Sequence, residues 1–415
     1  MSVLQSIFGF AVLGAIAWAC CQDRRRIPWK TVIAGAALQI ALAAVLLKVP
    51  LFRQLFLALN DMLLSLERAT RAGTSFVFGY LGGGSLPFEE SYAGASFVLA
   101  FRALPLVLVI SALSALLFYW RVLPVVVKAI SRLLQRTMGI GGAVGIGAAA
   151  NIFVGMVEAP LFVRPYLKHL SRGELFMIMT SGMATISGTV MVLYASLVAS
   201  VTPDAMGHLL TASIINVPAS IAVAALMVPP DREFTSGELV NPDLADSTMD
   251  AITKGTLQGV QLLLNIVAML IVLVALVSLA NQLLSVLPLV GEKPITLQRL
   301  LGYVMAPIVW LMGIPWSELP TAGALMGTKI ILNELIAYSE LAALPDNSLS
   351  PRSQLIMIYG MCGFANLGSL GIMIGGLGTM VAERRGEVTA LGLRSIVAGT
   401  LATCMTGAVI GMLSG

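Results

Sequence analysis

The chain has 415 residues, 58% hydrophobic and only 11% charged, with a net charge of +4 and a mean hydropathy of +0.91. Soluble domains carry roughly 25% charged residues, and so charge-poor a surface would aggregate in water. The composition therefore excludes an ordinary soluble domain and places the chain in lipid.

The first apolar run, 3–21, has no basic region before it and is followed by Arg24, Arg25 and Arg26. That order predicts a retained first helix ending on the cytoplasmic side, not a cleaved signal. Further stretches long enough for a hydrocarbon core, which needs about 20 residues, lie at 29–47, 97–120, 175–201, 209–228, 257–284, 355–380 and 391–413. Eight spans in all put both termini on the periplasmic side of a cell inner membrane. Between the second and third, the segment 52–71 places Phe52, Leu55, Phe56, Leu59, Met62, Leu63 and Leu66 at helical spacing. Arg53, Asn60, Asp61, Glu67, Arg68 and Arg71 take the other face, as in an interfacial helix.

Two apolar stretches fit poorly as single spans. Residues 139–170 carry Asn151, Glu158 and Pro160; residues 297–341 carry Pro307, Gly313, Pro315 and Pro320, then Lys329, Asn333 and Glu334. Both are predicted to be re-entrant hairpins, because irregular backbone at membrane depth has to be buried in protein. Each precedes a span interrupted by small residues, at 185–188 and at 363–371. Paired hairpins and paired broken helices mark transporters built from internal repeats. The polar stretch 229–254, with Asp231, Glu233, Glu238, Asp243, Asp246 and Asp250, separates the halves. The division expected is 1–136 for N-terminal scaffold helices and the interfacial helix, 137–229 for the first hairpin and broken helix, 230–255 for the linker, 256–296 for a long scaffold helix and 297–415 for the second hairpin, second broken helix and last helix. The four cysteines, Cys20, Cys21, Cys362 and Cys404, sit in apolar runs without metal spacing and read as small buried hydrophobes.

Ionisable residues inside a membrane are costly and mark function. Asn151 and Glu158 are two helical turns apart, with Gly155 and Pro160 positioned to break the helix between and after them. Glu158 could instead pair with Arg164 or Lys168, and Glu334 with Lys329. Cys362-Gly363-Phe364-Ala365-Asn366-Leu367-Gly368-Ser369 combines a helix break with an aromatic ring, an amide and a hydroxyl. Carboxylates and amides suit sugar hydroxyls, which both donate and accept, and Phe364 could stack on a flat ring. Oxygen-rich backbone around Asn151, Val154, Thr185 and Ile186 suits a hard monovalent cation.

On these residues the chain resembles the concentrative nucleoside transporters. The specific pieces are Ala150-Asn151-Ile152-Phe153-Val154-Gly155 with Glu158-Ala159-Pro160, then Asn333-Glu334, then Cys362-Gly363-Phe364-Ala365-Asn366. The resemblance implies an all-α membrane protein of about eight transmembrane helices, an interfacial helix and two re-entrant helical hairpins, assembled as a homotrimer. An inverted-repeat transport part would move against a scaffold of the first, second, third and sixth spans. It implies a ribose set of Glu334, Asn366 and Ser369, a hairpin tip of Gly155, Met156, Val157 and Glu158 near the base, pocket walls at Phe364 and Val190, and a sodium site at Asn151, Val154, Thr185 and Ile186. In one place the chain departs from the family: Met156-Val157 stands where the family usually reads Gln-Thr, whose polar contacts to the base Met and Val cannot make.

The function expected is symport of nucleosides, or of ribosyl compounds with a less polar aglycone, coupled to Na+ with H+ as the alternative. No other cofactor and no nucleic acid is expected. A membrane enzyme is disfavoured by only two histidines, His169 and His208, near span ends with no Ser/His or metal arrangement. A channel is disfavoured by the lack of a filter signature.

Overall fold

The computed structural model describes residues 2–90, 96–202, 204–231, 234–239, 245–286, 288 and 294–414. The described residues are helical, with no strand among them. Helices α1 (Ser2–Ala19) and α2 (Trp29–Lys48) form the first pair. α3 (Pro50–Phe78) is one long two-faced helix, and α4 (Leu99–Arg102) leads through Pro105 into α5 (Leu106–Tyr119). Six helical segments are long and apolar enough to cross a membrane: Trp29–Lys48, Leu99–Tyr119, Arg172–Val198, Ala205–Met227, Thr248–Leu284 and Ala382–Leu413. Val3–Ala19 falls just short in length. The remaining stretch expected to span, 355–380, is split by its own break.

On α3, Phe52, Leu59 and Leu66 are half-buried, whereas Asp61, Arg68 and Arg71 are exposed, as a two-faced helix requires. Met62 departs from the expected face and is exposed. The side chains of Arg53, Leu55, Phe56, Asn60 and Leu63 lie outside the described residues, as do Glu233 and Asp243 of the linker. A second amphipathic helix, α6 (Val122–Met138), buries Pro124, Val127, Ser131, Leu134 and Met138 and exposes Lys128, Arg132 and Arg136.

The rest of the chain is laid out twice in the same order. In the first set, α7 (Gly142–Asn151) turns back through a 3-10 stretch, Ala159–Tyr166, into α8 (Arg172–Ala184). A break at residues 185–187 separates α8 from α9 (Gly188–Val198), and the unbroken α10 (Ala205–Met227) follows. The peripheral α11 (Thr248–Leu284) then runs along α5. The second set is α12 (Leu297–Leu311), α13 (Leu319–Ile331) and α14 (Glu334–Ala342), then α15 (Pro351–Met361), a break at residues 362–366, α16 (Leu367–Met380) and α17 (Arg385–Leu413). The second hairpin region is thus three helices, not two arms. Gly313, at φ 106°, turns α12 toward α13, and the inner turn comes at Leu332-Asn333.

The core is α8, α10, α15 and α17, which pack on one another and whose side chains are mostly buried. α11 is the opposite: Leu257, Leu264, Ile271, Leu276 and Leu283 are all exposed. On a span, such a face meets lipid or another subunit. The ends of the molecule are also fixed. Gln22 N donates to Met227 O at 3.0 Å and Arg26 pairs with Asp231 at 3.5 Å, so α1, α10 and the start of the linker share one end. At the other end Arg352 donates to Gly313 O at 2.7 Å and Gly411 O at 2.6 Å, beside Ser6, which brings both chain ends to one side.

One expectation needs correcting. Cys362 and Cys404 are buried, but Cys20 is exposed and Cys21 half-buried, because both lie past Ala17, the last buried residue of α1. The linker is also partly docked. Glu174, fully buried, caps its own helix through Ser171 N at 2.9 Å and accepts from Thr235 N at 2.7 Å and Thr235 Oγ1 at 2.9 Å. A buried carboxylate needs such donors, and here they clamp the described segment 234–239 onto the first hairpin.

Candidate functional site

Both helix breaks arise where small or β-branched residues leave the helical conformation, and each leaves backbone carbonyls without an intrahelical partner. The breaks face each other. Phe364 N donates to Thr185 O at 3.2 Å, and a Cβ on Gly363 would stand only 2.8 Å from Ala184 O, so that position admits only glycine. Asn216 on α10, fully buried, donates from Nδ2 to Ala184 O at 2.8 Å and to Cys362 O at 2.7 Å. Its Oδ1 accepts from Thr406 Oγ1 at 2.5 Å, which in turn accepts from Gln39 Nε2 at 2.8 Å. One amide therefore ties the two broken helices to α17 and, through it, to α2.

The first hairpin tip reaches the same place. Gly155 has φ 99°, a conformation side chains avoid, and a Cβ there would also meet Ser187 Cβ at 3.0 Å. Gly188 N donates to Phe153 O at 2.9 Å, fixing the turn against the break at 185–187. This sets Val154, next to Phe153, beside the break that holds Thr185 and Ile186, while Asn151 Oδ1 lies 3.8 Å from the place a Cβ would take on Gly182 of α8. Asn151 is 0% exposed, and neither its Oδ1 nor its Nδ2 has a hydrogen-bond partner among the described residues. The Val154 and Ile186 carbonyls accept no hydrogen bond among the described residues. Thr185 Oγ1 gives its proton to Ser181 O at 2.8 Å, leaving its lone pairs free. Unpaired buried oxygens of this kind are costly, and a set of neutral oxygens fits a monovalent hard cation.

The second hairpin ends at Asn333, whose Oδ1 caps α14 by accepting from Ile336 N at 2.9 Å. Glu334 is the first residue of that helix, where the dipole favours a negative charge. It is 3% exposed. Its carboxylate accepts from Tyr194 Oη at 2.6 Å and from Asn366 Nδ2 at 2.9 Å. Asn366 Oδ1 accepts from Ser369 N at 2.7 Å, capping α16. Lys329 makes no ion pair with Glu334. Its ammonium is fully buried without a hydrogen-bond partner among the described residues and attracts Glu334 only at longer range, while tyrosine and asparagine hold the carboxylate directly. Glu158 likewise pairs with neither alternative: Lys168 bridges Glu383 at 2.8 Å, and Glu158, exposed to the cavity, makes no ion pair with Arg164.

These parts enclose a cavity of about 370 Å³, within the range of about 300–1,000 Å³ of small-molecule sites. Gly155, Met156, Val157, Glu158, Val190, Glu334, Phe364, Asn366 and Ser369 all line it. An adjoining cavity of about 550 Å³ shares Val154, Glu158, Thr189, Gln258 and Leu262 with it and continues past Phe118, Tyr119, Arg164 and Lys254. With Ala245 and Ala251 beside them, those residues place the adjoining cavity against the linker and the start of α11. Met156 packs on Gly182 and Val157 on Gly376, which seats the apolar tip between α8 and α16. Beyond the residues expected, the cavity is lined by Tyr194, Thr189 and three amides of α11, Gln258, Gln261 and Asn265.

Residues 208–411 match the profile described as Na+ dependent nucleoside transporter C-terminus, residues 8–81 that of the N-terminus, and residues 100–201 a nucleoside recognition profile termed Gate. An uncharacterized transporter of Haemophilus influenzae is 38% identical, covering 100% of this chain and 99% of its own. Nucleoside permease NupC of Helicobacter pylori is 34% identical, covering 100% and 98%. The chain belongs to the concentrative nucleoside transporter family. A solved structure of CNTnw in an inward-facing substrate-bound state matches with a TM-score of 0.91 at 36% identity, over 100% of both chains. The concentrative nucleoside transporter fold and a multi-pass membrane protein are thereby the frame for the cavity, and the chain's relatives are transporters, not enzymes.

Proposed function

We propose that the chain is a sodium-coupled symporter that imports nucleosides or nucleoside-like ribosyl compounds across the cell inner membrane. The observation that carries the reading is the pairing of two unlike sites at the meeting helix breaks. One is the fully buried Asn151 amide, without a hydrogen-bond partner among the described residues, and the other is a cavity with a held carboxylate, Glu334. The family description as Na+ dependent supports the choice of ion.

In this reading Asn151, Val154, Thr185 and Ile186 hold sodium. Glu334, Asn366 and Ser369 bind the ribose hydroxyls, Phe364 and Val190 wall the ring, and the tip from Gly155 to Glu158 lies against the base. The Glu334 carboxylate has about four lone-pair sites, two already taken by Tyr194 and Asn366, and offers the others to sugar hydroxyls. Sodium bound at 185–186 orders the break whose Thr185 carbonyl receives Phe364 N–H, so the ion preorganises the substrate wall. Residues 137–229 and 297–415 form the mobile transport part, moving as an elevator against scaffold segments 1–136 and 256–296, with 230–255 as the connecting linker. The exposed apolar face of α11 supplies the contact between copies in a homotrimer.

The test is uridine uptake into proteoliposomes holding the purified protein. Saturable uptake driven by an inward sodium gradient at equal pH is expected. Uptake that ignores sodium but follows a proton gradient would replace sodium by H+. No uptake of any nucleoside under either gradient would overturn the reading.

A further inference from the structure

Helix α11 is the most exposed of the long apolar helices, yet its apolar run is interrupted in one stripe. Between residues 257 and 277 the side chains that can hydrogen-bond are Gln258, Gln261 and Asn265. Their spacing of three and four places them on one helical face, and all three line the 370 Å³ cavity. None of the three has a hydrogen-bond partner among the described residues. Asn281, further along the same helix, is by contrast paired with Gln298 and Leu297 N. Unpaired amides on a membrane helix are unfavourable and mark a place where something polar docks.

We infer that Gln258, Gln261 and Asn265 are specificity-determining residues that read the polar edge of the nucleoside base from the scaffold side. The inference rests on the transport reading above and deepens it. The tip residues Met156 and Val157 offer the base no hydrogen bond, and their side chains are engaged in packing on Gly182 and Gly376. Gln258 is the best placed of the three. It lines the substrate cavity and the adjoining one together with Val154, Glu158 and Thr189, which is the first-hairpin side, away from the carboxylate of Glu334. An amide presents both a donor and an acceptor, so it can match the alternating edge of a pyrimidine or a purine. Because α11 belongs to neither hairpin, this reading of the base operates while the site faces α11.

The test compares three ribosides on the purified full-length protein at saturating sodium: uridine, adenosine, and a C-phenyl riboside whose ring has no hydrogen-bonding edge. The variants are Gln258→Met, Gln261→Met and Asn265→Leu, singly and together, all well tolerated on a membrane helix. A lost neutral hydrogen bond lowers affinity by about two- to tenfold. Gln258→Met is therefore expected to weaken uridine by about that factor and the triple variant by more, while the C-phenyl riboside binds as before. Retained phenyl riboside binding doubles as the control for folding. An unchanged ratio of uridine to phenyl riboside affinity in the single variants and the triple variant overturns the inference. So does loss of both ligands in equal measure in the single variants. Failure of the unmodified protein to bind any riboside is a separate result and would overturn the transport reading beneath it.

Discussion

Replacing Glu334 by glutamine probes the site at its most constrained point. The carboxylate is 3% exposed and accepts from Tyr194 Oη at 2.6 Å and Asn366 Nδ2 at 2.9 Å. Glutamine keeps the shape. With its oxygen toward Asn366 and its amide toward Tyr194, both protein contacts survive, because the tyrosine hydroxyl can turn to accept. The reverse orientation would set two amide donors against each other, and Asn366 cannot flip to relieve this without losing its cap on Ser369 N. Folding should therefore change little, whereas the negative charge and one acceptor position facing the cavity are lost. Hydrogen bonds to a charged group contribute about 1.5–3 kcal/mol, so nucleoside affinity should fall by about ten- to a hundredfold. Calorimetric titration with uridine at saturating sodium measures this. The same titration with 2′,3′-dideoxyuridine completes a cycle: removing the hydroxyls should cost the variant much less than it costs the unmodified protein. Equal losses in both proteins, or unchanged uridine affinity in a normally folded variant, would refute the ribose assignment.

Asn151→Leu should abolish the dependence of uridine affinity on sodium while leaving the protein folded, since it removes two buried polar atoms that have no partner among the described residues; a surviving sodium slope in a binding titration argues against the assignment. Gly155→Ala should lower thermal stability and uptake together, because φ 99° and the 3.0 Å approach to Ser187 Cβ both oppose a side chain. The double change Met156→Gln with Val157→Thr should raise uridine affinity about three- to tenfold by giving the base new partners, and an unchanged titration would show that the tip does not face the base. Asn216→Leu should weaken the linkage between sodium and substrate binding, read as the change in uridine affinity between sodium-free and saturating buffer.

How far the sequence could be read depended on whether a residue's role is local. Asn151, Glu158, Asn333, Glu334 and Asn366 were legible because polar groups and helix-breaking glycines stand out inside apolar runs, and the breaks at 185–187 and 362–366 were marked in the same way. The three-helix form of 297–342 was not, since Gly313 and Pro315 signal a turn without saying how many follow. α6 does not stand out as a separate element, although Pro124, Val127, Ser131, Leu134 and Met138 keep helical spacing, because Lys128, Arg132 and Arg136 interrupt the apolar run by which spans are recognised. Tyr194 and the α11 amides carry no motif. A tyrosine or glutamine in a span is unremarkable until the fold shows that Glu334 or the cavity is what it faces. Cys20 was misjudged because apolar surroundings in a membrane chain do not imply burial in protein: lipid accepts the same side chains.

Asn216 shows the same limit and bears on how coupling works. A lone asparagine in a membrane helix is usually inter-helix glue, and nothing beside it in the sequence says otherwise. In the structure its single amide nitrogen bonds one carbonyl from each helix break, Ala184 O and Cys362 O. The first break carries the proposed cation oxygens and the second the proposed substrate wall. The breaks also share the Phe364 N to Thr185 O bond at 3.2 Å, so two independent ties join them. An ion that fixes Thr185 and Ile186 therefore restrains Phe364 directly and through Asn216, and binding the second ligand then costs less ordering. Coupling of this kind is reciprocal: the nucleoside must tighten sodium by the factor by which sodium tightens the nucleoside. Leucine at 216 removes one tie and leaves the other, so the coupling should shrink by a similar factor in both directions while each ligand alone still binds. Asn216→Leu that lowers both intrinsic affinities but keeps the full coupling factor would mean that the amide only supports the fold, and that the Phe364–Thr185 bond carries the linkage alone.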